Sequence, residues 1–157
     1  MGELRAKLQK QLYDDMNASK RLMMPYFTYV VSAHNISPAQ AHILSTVNDN
    51  HPISLKALAG KTMLTPGAIT QLVDPLVRQA LVTRTPDQKD RRITNITITP
   101  KGLQIIESIH KYRDELMSQS VTTLTDAELE QLVAIQRKMT AQLKAFIEIA
   151  TAKKEKA

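Results

Sequence analysis

The stretch that decides the fold is residues 53–102, ISLKALAGKTMLTPGAITQLVDPLVRQALVTRTPDQKDRRITNITITPKG. Within it Ser54 precedes Leu55, Leu58 and Ala59 at helical spacing, and Thr65-Pro66 opens a second apolar series of Ile69, Leu72, Val73 and Leu76. A hydroxyl at the N-cap satisfies an unpaired amide of the first helical turn, and a proline directly after it has no amide to leave unpaired. Lys61-Thr62-Met63-Leu64 makes the turn between the two helices. Leu81-Val82-Thr83-Arg84 and Ile93 to Thr99 then read as strands, with Thr94, Ile96 and Ile98 alternating against Asn95 and Thr97. The polar loop Pro86-Asp87-Gln88-Lys89-Asp90 joins them. Helix, tight turn, helix and hairpin in that order is the layout of a winged helix-turn-helix.

The flanks are helical. Ser37-Pro38-Ala39-Gln40 combines N-cap, N1 proline and an N3 glutamine and predicts a helix from Pro38 to about Asn48. Thr99-Pro100 and Thr125-Asp126-Ala127-Glu128 open two more. From Glu3 to about Ala33, Leu4, Leu8, Leu12, Met16, Met23, Phe27 and Val30 form one apolar stripe, with a kink or break expected near Met24 because Pro25 lies inside it. Leu129, Leu132, Val133, Met139, Leu143, Phe146, Ile147 and Ala150 form a second stripe, ahead of a frayed Lys153-Lys154-Glu155-Lys156 tail. Two long amphipathic helices at opposite ends of a small chain point to burial against a second copy, the alternative being an intramolecular bundle. The expected fold class is therefore mainly α with a small β-hairpin wing. We expect a single domain over residues 1–157, with the winged helix-turn-helix at 36–102 and helical dimerisation regions at 1–35 and 103–157.

Charge distribution gives the module a partner. Of a formal net charge of +6, residues 53–102 hold eight basic side chains against three aspartates, so the surplus lies almost wholly there. A basic stripe of this kind favours double-stranded DNA. On the second helix Thr65, Pro66, Gly67, Ala68, Thr70, Gln71, Asp74 and Arg78 lie away from the apolar stripe or at its start, where such a helix meets base edges. Thr70 and Gln71 suit base edges, while Gly67 and Ala68 permit close approach. Asp74 either accepts from a cytosine amine or pairs with an arginine. Ser54, Lys56, Lys61 and Thr62 are candidates for backbone phosphates, and Arg84, Lys89, Asp90, Arg91 and Arg92 for the wing. Asp90, two residues before Arg92, is expected to hold that guanidinium in a fixed fork.

At these residues the chain resembles the MarR family of bacterial regulators. The resemblance rests on Ser37-Pro38-Ala39-Gln40 with Ala41-His42-Ile43-Leu44, on Leu58-Ala59, and on Thr65-Pro66-Gly67-Ala68-Ile69-Thr70. It continues through Leu72-Val73-Asp74, Leu76-Val77, Ala80-Leu81-Val82 and Asp90-Arg91-Arg92 to Ile98-Thr99-Pro100-Lys101-Gly102. It implies a triangular homodimer in which each winged lobe reads half of a pseudo-palindromic operator, and a wing arginine, here Arg92, that enters the minor groove or pairs with an acid. Pro75 departs from the family pattern and predicts a bend after Val73 or a lost backbone contact. Gly60 weakens the helix before it.

The resemblance also implies a small aromatic or phenolic acid as effector. Lys20, Arg21, Met23, Tyr26 and Tyr29, with Met24 and Phe27, offer a cation and aromatic walls for it, or else are simply core. His42 with Glu107 and His110 is the alternative, a metal-responsive variant that would need a further ligand such as His34. The ligand set is thin, so no metal is expected. There is no cysteine, which removes disulfides, thiolate zinc sites and thiol-based peroxide sensing. Four scattered histidines and four glycines offer neither a catalytic triad nor a phosphate loop, so no enzyme is expected. A winged-helix protein-interaction module is the remaining class. No apolar run approaches the roughly 18 residues of a membrane span, and a cytoplasmic location without membrane contact is expected.

Overall fold

A computed structural model describes residues 2–154. Six helices and three short strands follow in the order α1 (Gly2–Ser32), α2 (Pro38–Asn50), β1 (Ile53–Ser54), α3 (Leu55–Thr62), α4 (Pro66–Arg78), β2 (Val82–Pro86), β3 (Thr94–Ile98), α5 (Pro100–Ser120) and α6 (Asp126–Lys154). The helix starts obey their caps. Ser37 and Gln40 form a reciprocal capping box, while Ser54 and Thr65 accept from the Ala57 and Ala68 amides. Thr125 and Glu128 bond reciprocally at the start of α6.

Several expectations are corrected. Of the kink or break expected near Met24, the break is absent: α1 runs through Pro25 without interruption. The missing Pro25 amide withholds one hydrogen bond, from the carbonyl of exposed Arg21, where solvent can reach it. Pro75 is likewise inside a continuous α4, and the carbonyl it leaves unbonded belongs to exposed Gln71. Pro86 belongs to β2 rather than to the loop, and Ile53–Ser54 adds a third strand. Of the expected frayed tail, Lys153 and Lys154 continue α6, while Glu155 and Lys156 lie outside the described residues.

The sheet is antiparallel with order β1-β3-β2, pairing Ile53 with Ile96 and Val82 with Ile98. Packing divides the chain into two compact units, one up to Tyr112 and one from Arg113 onward. The first unit has one core, in which Ile43, Leu44, Leu58, Ile69, Val73, Leu76, Leu81 and Ile96 are fully buried. Burial of each such side chain contributes about 1.5–3 kcal/mol. Among its described residues α6 buries none fully, and Leu143, Phe146 and Ile149 are exposed. In the first unit, the Leu4, Leu8 and Leu12 stripe of α1 is exposed as well.

The lobe closes where α4, β2 and α5 meet. Ala80 takes a left-handed conformation (φ 56°), which lets the Leu81 amide bond back to Leu76 at 2.9 Å and turns the chain into β2. The Leu81 carbonyl accepts from the Thr99 amide at 3.1 Å, and the Thr99 hydroxyl caps α5 by accepting from the Gly102 amide at 3.0 Å. Gly102 has to be glycine, since a Cβ there would collide with the Leu81 carbonyl oxygen and stand 2.8 Å from Ile98 Cγ1. At Gly60 nothing lies within 4 Å of the same added atom. Gly102→Ala should therefore cost about 1–3 kcal/mol in denaturant unfolding, whereas Gly60→Ala should stabilise by about 0.4–1 kcal/mol. Equal effects of one sign would refute this packing.

Candidate nucleic-acid interface

The outer face of α4 is open. Pro66, Gly67, Thr70, Gln71 and Arg78 are exposed, Ala68 is half-buried, and the opposite face inserts Ile69, Val73 and Leu76 into the core. Pro66 and Gly67 leave the first turn free of bulk, so a groove edge can approach the backbone there. Gln71 keeps both its carbonyl and its amide for a base edge. The hydroxyls differ in what they can still do. Ser54 and Thr65 accept from helix amides at 3.1 and 3.3 Å, so their own protons remain for a phosphate oxygen. Thr62 and Thr70 instead donate to the Leu58 and Pro66 carbonyls at 2.8 and 3.1 Å. Those two protons are already engaged.

Asp74, whose partner the residue pattern leaves open, pairs with an arginine. Its Oδ1 accepts from the Arg84 guanidinium at 2.6 Å, with both side chains about one third exposed (39% and 34%). At that exposure such a pair is worth about 0–1 kcal/mol, but it pins β2 to the recognition helix and neutralises one wing cation. Arg84 is therefore a brace at the base of the wing.

The wing tip is ordered by Asp87, which the residue pattern did not single out. Its Oδ1 accepts from the Lys89 and Asp90 amides at 2.9 and 3.1 Å, and its Oδ2 from Asn95 Nδ2 at 2.9 Å. The Lys89 and Asp90 amides, followed by Asn95, hold its carboxyl below the ordinary carboxylate value. The signal was an aspartate two residues before an amide donor in a turn, a common Asx arrangement. Asp90 does not grip the Arg92 guanidinium as expected; it accepts from the Arg92 backbone amide at 3.0 Å. Among the described residues no acid lies in salt-bridge reach of Lys89, Arg91 or Arg92, and all three are exposed. Arg92 and Lys56 line one groove of about 350 Å³ with Ser54 at the start of α3. Lys61 is exposed on the same helix.

The proposed effector residues do not share one cavity. Lys20 and Arg21 line a groove along α1 with Met24, Pro25 and Thr28, which Met23, Tyr26 and Tyr29 do not line. Tyr26 stacks on Tyr29 at 6.4 Å and meets Tyr112 edge-on at 4.7 Å. Burial, with Tyr26 beside it, raises the Tyr112 hydroxyl above its ordinary value. The metal alternative is also corrected. Among the described residues no three His, Cys, Asp or Glu side chains come together, so His42, Glu107 and His110 form no cluster. His34 instead bonds the Ser108 hydroxyl at 3.1 Å. No described helix is long and apolar enough to cross a membrane.

Residues 36–94 match the profile of the MarR family. The chain is similar to the HTH-type transcriptional repressor MdtR of Bacillus subtilis, 25% identical over 137 residues that span 85% of this chain and 88% of that one. Its fold matches a Staphylococcus aureus MarR in complex with salicylate and kanamycin, at TM-score 0.76 and 18% identity over 88% of this chain and 94% of that one. It also matches a Staphylococcus aureus MepR mutant bound to an oligodeoxyribonucleotide, at TM-score 0.63 and 23% identity, with 86% and 97% covered.

Because the folded carboxyl of Asp87 titrates below its unfolded value, its contribution to wing order is complete above the ordinary carboxylate range. It is lost only as pH falls through the lower folded value. In an NMR titration the Asp87 midpoint should fall below 3.8. Exchange of the Lys89 and Asp90 amides should rise in Asp87→Ala; a midpoint at or above 3.8 would contradict the turn.

Proposed function

Because this chain belongs to the MarR family, we propose that it is a sequence-specific, double-stranded-DNA-binding transcriptional regulator, a ligand-responsive repressor acting as a homodimer on a pseudo-palindromic operator. The observation that carries the reading is the pairing of an open α4 face with a wing whose Lys89, Arg91 and Arg92 have no acid in salt-bridge reach among the described residues. In this reading α4 lies in the major groove, with Gln71 and Thr70 at base edges. The wing cations reach the adjacent minor groove, whose negative potential attracts arginine. Ser54, Lys56, Lys61 and Thr65 hold phosphates and set the register.

The homodimer is inferred from the apolar stripes. Leu4 on α1 is 67% and Phe146 on α6 66% exposed, and an exposed apolar stripe along each helix calls for a partner surface. Its closure by a second copy spaces two lobes for an inverted repeat. The effector is proposed as a small aromatic or phenolic acid, in keeping with the salicylate in the Staphylococcus aureus MarR structure. The curated relatives it matches are transcriptional regulators, and no catalytic role enters the proposal.

Two measurements test the reading. Log affinity for duplex DNA should fall linearly with log salt at a slope of about −0.9 per phosphate neutralised, and Arg92→Ala should weaken binding by about 1–3 kcal/mol and flatten that slope by about one unit. Undiminished binding would remove the wing from the interface. Sedimentation should give a species of twice 17.6 kDa, converted towards the monomer by Leu12→Asp or Phe146→Asp. A monomer in the unaltered chain would overturn the dimer.

A further inference from the structure

The outward side chains of α4 divide into those already held and those still free. Over residues 66–77 the helix carries neither lysine nor arginine, the side chains that most often read guanine, and Arg78 stands in its last turn. Asp74, which could take a cytosine amine, has its Oδ1 bound to Arg84 at 2.6 Å. Gly67 offers no side chain, and nothing lies within 4 Å of the atom a larger residue would add there. Thr70 and Gln71 follow it by three and four positions, so they project from the same face one turn further on, and both are exposed. They are the polar side chains left to read bases in this part of the helix.

Thr70 is constrained further. Its Oγ1 lies 3.1 Å from the Pro66 carbonyl oxygen, and a carbonyl has no proton to give, so the hydroxyl is the donor. A hydroxyl has one proton and two lone pairs; with the proton engaged, Thr70 presents only acceptor capacity to whatever approaches. Ser54 and Thr65 have the reverse polarity, since they accept from the Ala57 and Ala68 amides and keep their protons. Phosphate oxygens only accept, so those two caps suit the DNA backbone and Thr70 does not. In the major groove the donors are the exocyclic amines, N6 of adenine and N4 of cytosine, whereas guanine O6 and N7 and thymine O4 accept. Every base pair presents one amine there, so an acceptor facing one strand reads which strand carries it.

We infer that Thr70 determines specificity by polarity: its hydroxyl accepts from the exocyclic amine of an adenine or cytosine and rejects guanine or thymine at that position of that strand. The inference rests on α4 lying in the major groove, and it adds to that reading a selection that a threonine with a free proton would not make. A keto oxygen at the same place would meet the Thr70 oxygen acceptor to acceptor, unless the hydroxyl gave up its bond to Pro66.

The test starts from the duplex that the full chain enriches most strongly from a random-sequence library. Each half-site should contain a position where adenine and cytosine are both accepted and guanine and thymine are excluded. In that duplex each adenine of one half-site is replaced in turn by purine and each cytosine by 2-pyrimidinone, which removes the amine and leaves the ring. At one position the replacement should weaken the unaltered chain about three- to tenfold more than it weakens Thr70→Val, the range of a single hydrogen bond. The cost of the weaker base pair falls on both proteins and cancels in that comparison. Thr70→Ser, which keeps the hydroxyl, should keep the dependence on the amine. A response at adenine identifies N6 as the donor, and one at cytosine N4. The inference is overturned if no amine removal couples to Thr70, or if replacement by 7-deazapurines, which deletes the N7 acceptor, couples to it instead. Either outcome leaves sequence-specific binding standing, whereas a chain that enriches no duplex would overturn the major-groove reading together with this one.

Discussion

The lobe depends on a close backbone contact, the Leu81 carbonyl against the first turn of α5. That carbonyl accepts from the Thr99 amide, and the space above it admits no side chain at position 102. Through this junction the end of the recognition helix, the first strand of the wing and the start of the long α5 are held at fixed separations. The core residues around it, Leu76, Leu81, Val82, Ile98 and Ile105, come from each of those elements. Interiors packed at this density transmit displacement rather than absorb it. The position of α4 relative to the wing is consequently a property of the junction, reinforced at the far edge by the Asp74–Arg84 pair.

Electrostatics then divides the basic residues by role. Arg84 is tied to Asp74 and Lys101 to the Gln79 carbonyl, so both brace the scaffold. Lys56, Lys61, Lys89, Arg91 and Arg92 are exposed and have no carboxylate in salt-bridge reach among the described residues. Three aspartates in the same region have the wrong sign for a DNA-facing surface, yet each is engaged within the lobe. Asp74 holds Arg84, Asp87 builds the wing turn from backbone amides, and Asp90 receives the Arg92 amide. Their negative charge is directed at donors of the same chain, which leaves the outward field positive.

Much of this fold is legible in the residues alone. Ser or Thr followed by Pro, or by Glu or Gln at N3, locates the starts of α2, α4, α5 and α6, because capping is a local interaction between residues a few positions apart. The apolar series of α4 marks its buried face for the same reason. What escapes is either too short to show a period or set by tertiary contact. Strand β1 is two residues long, and only its pairing with Ile96 and Asn95 defines it. The Asp74–Arg84 pair and the Leu81–Gly102 contact join residues ten and more positions apart, across separate elements. The prolines mislead in the other direction: Pro25 and Pro75 each withhold one backbone amide, from the carbonyls of exposed Arg21 and Gln71, and both helices continue through them.

In the proposed complex two copies of this lobe, each with α4 in a major groove, read an inverted repeat. Selection of bound duplexes from a random-sequence library by the purified chain measures this in one step. The expected product is an enriched pseudo-palindrome whose half-sites are centred about one helical turn, roughly 10 base pairs, or a multiple of it apart, with A·T preference flanking each half-site where the wing enters. Enrichment of a single asymmetric half-site, or of no sequence at all, would contradict it.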